Sequence, residues 1–259
     1  MTTYTTPEPI TAKLSTAGAK VLVVASERTD TVVLVEPIDK TSKTDVKVAE
    51  RTEVAFADGA LSIKTTKSGD KNGSVAITVE LPAGSKLVLN TAWTEVHAEG
   101  PLGDCELNPA SGQIQLAHVT GTTHIEGGAA DVRIAEADGP VRYSGSTGKV
   151  RIGHARSDVE LRGSGGSFDI DHAEGDVFAS TGNCPIRIGR MTRGQAELTN
   201  AAGGIEIGIG EGTIAFVDAE STKGAVRDSL SAPEHESGDQ VKIHARTRLD
   251  DIVIHRVAG

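Results

Sequence analysis

Residues whose side chains can hold a metal, a proton or an anion recur at 18-residue intervals: His118, Glu136, His154, His172 and Arg190. His154 and His172, one interval apart with Asp171 beside the second, offer the donor types that Zn²⁺ or Ni²⁺ takes. A shared ion would need both ring nitrogens within about 2.1 Å of it. Glu136 and Arg190 in the same column point instead to a solvated ladder of mixed charge. The expectation is therefore no metal and no cofactor, with His154 and His172 as the sole candidate ligands. A second group, Arg133, Lys149 and Arg151, makes a small basic strip that suits a carboxylate, a phosphate or an acidic protein segment. Mixed charge on a flat strand face also guards against edge pairing. Phe178 is a large apolar side chain at a position expected to be wet, and so a candidate contact residue.

These positions are set by a repeat. Counting from the residue two before the first aliphatic, units start at Gly103, Gly112, Gly121, Ala130, Gly139, Gly148, Ser157, Gly166, Gly175 and Cys184, nine apart. The step then becomes ten, giving Gly194 and Gly204. Third and fifth positions are apolar, as in Val150/Ile152, Val159/Leu161 and Phe168/Ile170, and their neighbours are polar. That alternation is a strand with one buried and one wet face. The remaining four residues are too few for a helix and must turn a corner. Corners alternate between a Gly-His-Ala-Arg type and a Gly/Ser-rich type, so the true period is 18, two strands per coil.

The implied fold is all-β: a flattened two-sheet β-solenoid with 18-residue coils, closed by an antiparallel β cap at the N-terminus and a strand cap at the C-terminus. A triangular helix of hexapeptides fits poorly, because six residues on from Ile114 stand Thr120 and then Glu126. One coil buries about four aliphatic side chains, worth ~6–12 kcal/mol, against ~1–2 kcal/mol of ordering cost per backbone unit. A lone coil cannot fold, so neighbours and caps are required. The chain reads as a single domain over 1–259, with a cap at 15–100, coils at 101–210 and a second cap at 211–259.

Within the first cap, apolar alternation at Val46/Val48, Val54/Phe56, Leu61/Ile63, Val75–Leu81 and Leu87/Leu89 predicts strands. Asp58-Gly59 predicts a two-residue hairpin. Loops are expected at Thr66–Gly73 and Ser231–Asp239, and final strands at Val241–Arg246 and Asp251–Arg256. Cys105 and Cys184 lie 79 residues apart, about 4.4 coils or ~21 Å at strand spacing. A disulfide needs Cα atoms within ~7 Å. Both are expected as free thiols, Cys105 inward and Cys184 partly exposed at a corner.

The net charge of −10 disfavours a nucleic-acid or anionic-membrane partner. The opening MTTYTTPEPI lacks a basic n-region and early apolar runs are short, so no membrane association and a cytoplasmic location are expected. His235-Glu236 lacks the second histidine of a zincin, GIGEGT at 208–213 is no dinucleotide fingerprint, and no nucleophile elbow occurs.

The string VAITVELPAGSKLVLNTAWTEVHAEGPLGDCEL, the glycine-led repeats after it, EGTIAF and the closing HARTRLDDIVIHR resemble a bacterial β-strand-repeat family of unknown function. Its members are described as candidate adhesins and are common in actinomycetes. The resemblance spans about residues 15 to 257 and implies a toast-rack-like solenoid with no catalytic residues. Where members carry Gly-Asp-Ile near the end, this chain has Asp250-Asp251-Ile252, and an aspartate in the left-handed region is expected there. The expected function is a non-catalytic scaffold, adhesin-like, presenting a rigid face to a protein or polymer partner. The alternatives are an enzyme acting on polysaccharide along a sheet face, and a metal or small-molecule sensor built on the corner histidines.

Overall fold

The computed structural model describes residues 1–65, 73–230 and 238–258. Two compact units are distinguished, 1–132 and 133–259, and the strand Ala129–Ala137 carries the boundary. From Val75–Pro82 onward successive strands are dealt alternately to two sheets, so that each coil contributes one strand to each; before it, Ala19–Ser26 and Asp30–Pro37 share one sheet and Glu53–Ala57 and Ala60–Lys64 the other. This is the all-β, mostly parallel two-sheet architecture that the repeat implies. The expected loops Thr66–Gly73 and Ser231–Asp239 fall on residues 66–72 and 231–237, outside the described residues, as does His235-Glu236.

In the second unit the coils stack in the register that the sequence sets. Lys149–Ala155 pairs in parallel with Ser167–Ala173, placing Val150 against Phe168 and Ile152 against Ile170. The columns continue to Ile186 and Ile188, Ile205 and Ile207, then Ile252 and Ile254. In the opposing sheet Val159 meets Val177 and Leu161 meets Ala179. Phe168 is 1 % exposed and meets the Tyr143 ring edge-on across the core, with centroids 5.7 Å apart. Such aliphatic columns supply the apolar burial that offsets the cost of ordering each coil.

Corners are made partly inside the strands. Along Lys149–Ala155 the inward positions are Val150, Ile152 and then Ala155, so Gly153 and His154 both face outward and the strand bends between them. His154 and His172 therefore lie in strands, in the last turn before the corner, rather than in loops. Aspartates satisfy backbone N–H groups at these same corners. Asp158 Oδ1 accepts from Asp176 N at 3.0 Å, and Asp176 Oδ1 from Gln195 N at 2.8 Å. Gly166 shows why some corner positions need glycine: its φ is +103°, and a Cβ there would lie 2.0 Å from the Gly148 carbonyl oxygen.

The chain does not end at the last strand of the stack. Gln240–Thr247 inserts between Gly194–Asn200 and Ile214–Ser221, and Ile252–Val257 inserts between Ile205–Gly210 and Val226–Asp228, all in parallel. The outermost coil is made first and the final coil slides beneath it. Asp250 has no left-handed backbone; its carboxylate accepts from Gly203 N at 2.7 Å. Asp251 Oδ1 accepts from Ala225 N at 2.9 Å. Aspartate stands here for its oxygen acceptors, which tie the last coil to its neighbours, and the expected turn is not what the position needs.

The first unit uses the same insertion. Thr11–Ala17 lies between Ala60–Lys64 and Lys86–Ala92, and Ala19–Ser26 between Val75–Pro82 and Thr94–Leu102, again in parallel. Among the described residues antiparallel pairing is present only at the end of this unit, where Asp30–Pro37 joins Val75–Pro82 and Thr2–Thr5, and in the hairpin Glu53–Ala57 with Ala60–Lys64. That hairpin turns on Asp58 and Gly59, both with positive φ. One expected strand is a helix: Lys43–Arg51 contains Val46 and Val48. Ser42 caps it by accepting from Asp45 N, and the Asp45 carboxylate accepts from Asp39 N and Ser74 N at 3.1 and 3.0 Å. Only Asp45 and Val48 are buried, so the cap and its carboxylate, not an apolar stripe, decide for the helix. Among the described residues no helix is long and apolar enough to cross a membrane.

Candidate functional site

The two strands carrying His154 and His172 put these residues in direct register. Their rings stack with centroids 4.5 Å apart and planes 2° from parallel. Glu174, first residue past the strand Ser167–Ala173, reaches diagonally to the coil before it, and its Oε1 lies 2.8 Å from His154 Nε2. One donor atom from each of His154, His172 and Glu174 falls within 4.8 Å of the other two. All three residues are half-buried. His172 Nε2 is buried and has no hydrogen-bond partner, as is Arg190 Nε in the next strand along the column.

Burial holds the His172 imidazole below its ordinary pKa of 6.5, with the charges of His154 and Arg190 acting in the same sense and Glu174 opposing them. Glu174 is held below the usual carboxylate value chiefly by its hydrogen bond to His154. Arg193 closes the other side of Glu174: its Nε donates to the Glu174 carbonyl at 2.6 Å and a terminal nitrogen lies 3.5 Å from Oε2. Both shifts favour a neutral imidazole at His172 and an ionised carboxylate at Glu174. Asp171, the neighbour of His172, is not part of the cluster and pairs with Arg151 and Arg187 instead. Glu136 is not part of it either and pairs with Arg156 at 3.1 Å.

Glu174 is the residue that sequence reasoning missed. The 18-residue period directs attention to positions directly in line, as Arg187 with Asp169, whereas a second set of ion pairs runs one coil plus two residues. Arg151 with Asp171, Glu136 with Arg156 and Lys86 with Glu106 repeat the same 20-residue offset as His154 with Glu174. That spacing is readable in the sequence once sought.

The outward face beside this corner carries the basic strip. Lys149 and Arg151 stand on one strand and Arg133 on its neighbour in the sheet. All three are exposed. Arg151 is bridged to Asp171 at 3.0 Å, and Arg187 to Asp169 at 2.7 Å, so the strip becomes a neutral ladder in one direction. Arg133 and Lys149 make no ion pair among the described residues. Phe178 lies on the opposing sheet, half-buried, with the Arg162 guanidinium carbon 4.6 Å above its ring. It is thus partly covered and separate from the basic strip. In the first unit, Trp93 is 71 % exposed and adopts φ +48°, at the corner between Lys86–Ala92 and Thr94–Leu102. Sequence reasoning passed it over, although a sole tryptophan at a corner is a signal for contact.

The cysteines are free, as expected. Cys105 is fully buried, and burial pushes its thiol up to about 12. Cys184 is fully buried as well, against the expectation of partial exposure, because its side chain turns inward from the corner and its Sγ lies 3.4 Å from the Pro185 carbonyl.

No curated protein matches the sequence. Among solved structures, a candidate adhesin from Bacteroides fragilis is 16 % identical, with 99 % of this chain and 95 % of that one covered and a TM-score of 0.40. A candidate cell adhesion protein from Clostridium sporogenes is 8 % identical, with 99 % and 98 % covered and a TM-score of 0.25. The match that decides kinship is to the family itself, over residues 9–254, nearly every coil just described. The chain belongs to the Toastrack DUF4097 family.

Proposed function

We propose that the protein is a non-catalytic scaffold that presents a rigid sheet face to an acidic protein segment or polymer. The observation that carries this reading is the pair Arg133 and Lys149, exposed and without ion pairs among the described residues, on a chain of net charge −10. Elsewhere on the same face arginines are matched by aspartates, as Arg151 and Arg187 are by Asp171 and Asp169. Two cations left unmatched on otherwise neutralised strands suit carboxylate or phosphate groups. Strands locked on both sides lose little freedom when a partner docks, which favours recognition by such a face. The candidate adhesion proteins of similar length accord with this role.

The test is binding of poly-glutamate and of a polysaccharide bearing carboxylates to the immobilised protein, against Arg133→Glu with Lys149→Glu. Binding that weakens at least tenfold in the double variant and with added salt supports the face. Equal binding by both proteins, or none by either, removes it.

A further inference from the structure

We propose that His154, His172 and Glu174 form a binding site for a single Zn²⁺ ion, with the remaining coordination positions left to water. The donor set of two imidazoles and a carboxylate with an open position is one that zinc takes readily. Zinc holds such donors at about 2.0–2.2 Å, which sets them roughly 3.4 Å from one another in a tetrahedral site. Here His154 Nε2 and Glu174 Oε1 are 2.8 Å apart, and all three donor atoms lie within 4.8 Å. The approach still needed is a turn of the two stacked rings about their Cβ–Cγ bonds, so that their nitrogens converge. That torsion is soft for histidine.

The second observation is the state of His172. Its Nε2 is buried and has no hydrogen-bond partner. A buried polar atom left unmatched is costly, and an ion seated between His154 and Glu174 would engage it. Arg190 and Arg193 stand against the site as like charges. Arg193 is engaged by the Glu174 backbone and carboxylate, and Arg190 stands on the next strand along the column. The Glu174 carboxylate supplies the negative charge within the ligand set.

The test is titration of untagged, metal-free protein with zinc chloride by calorimetry at neutral pH, alongside His172→Ala, Glu174→Gln and His124→Ala. His124 pairs with Glu126 at exposed positions of a strand in the first unit and serves as a control for a lone His–Glu pair. The expected result is one equivalent bound by the native chain and by His124→Ala, with at least tenfold weaker binding in His172→Ala and in Glu174→Gln. Because these side chains are only half-buried, both variants are expected to keep the native circular dichroism spectrum. No heat with the native chain overturns the proposal. So does equal affinity in His172→Ala, or a loss in His124→Ala as large as in the other two.

Discussion

His154 and His172 stack face to face with centroids 4.5 Å apart, and Glu174 binds only the first of them. His172 is held below 6.5 by burial first, then by His154 and Arg190. As pH falls past 6.5 the unfolded chain takes up the proton before the folded one, so stability declines from there toward the depressed folded value. Glu174, held low, adds a second loss beginning below 4.5. Melting temperature should fall between about pH 7.5 and 5, and fall less steeply in His172→Gln. Parallel curves for the two proteins would place the pH response elsewhere.

The column Val150, Phe168, Ile186 predicts where the fold is most sensitive. Phe168 is the largest fully buried side chain and packs edge-on against Tyr143. Phe168→Ala should cost about 3–5 kcal/mol, from lost transfer energy and the cavity left behind. Urea denaturation monitored by circular dichroism measures it. A loss under about 1 kcal/mol would mean that the core collapses around the gap.

The coils were legible because their signal is local: glycine at the corner and two inward aliphatics recur within nine residues, as at Gly148-Lys149-Val150-Arg151-Ile152. What was not legible is non-local. Nothing in Thr11–Ala17 says that it will lie between residues 60–64 and 86–92, since each is an alternating strand that would accept either neighbour. The helix Lys43–Arg51 hid because Val46 and Val48 fit strand alternation, and only the acceptor bonds of Asp45 break the tie. In the candidate site, the stacked histidines followed from the period. Glu174 did not, because its link to His154 runs along a diagonal.

Corner glycines separate into those that need space and those that need only conformation. Gly166 has both φ +103° and a carbonyl oxygen 2.0 Å from where a Cβ would sit. Gly59 has φ +74° with nothing within 4 Å. Gly59→Ala should cost about 1–2 kcal/mol, the penalty of the left-handed region alone. Gly166→Ala should cost clearly more, because the Gly148 backbone must also move. Equal losses on urea denaturation would show that the coils give way freely.

Cys105 and Cys184 are both fully buried, and burial raises both thiols, Cys105 to about 12. Since only the thiolate attacks disulfide reagents, neither should react with Ellman's reagent in the native protein, and both should react in denaturant. Rapid labelling of one thiol without denaturant would show that its corner opens.

Trp93 carries a backbone conformation that bulky residues avoid and leaves 71 % of its surface in water. The left-handed region costs a residue with a Cβ about 1–2 kcal/mol, while glycine loses about 0.5–1 kcal/mol more entropy on folding. With little indole burial to offset the strain, Trp93→Gly should leave stability unchanged or raise it by up to ~1 kcal/mol. The sole tryptophan should also emit at long wavelength and be quenched by acrylamide almost as readily as the free indole. A melting temperature lowered by the substitution would instead show that the ring packs against this chain.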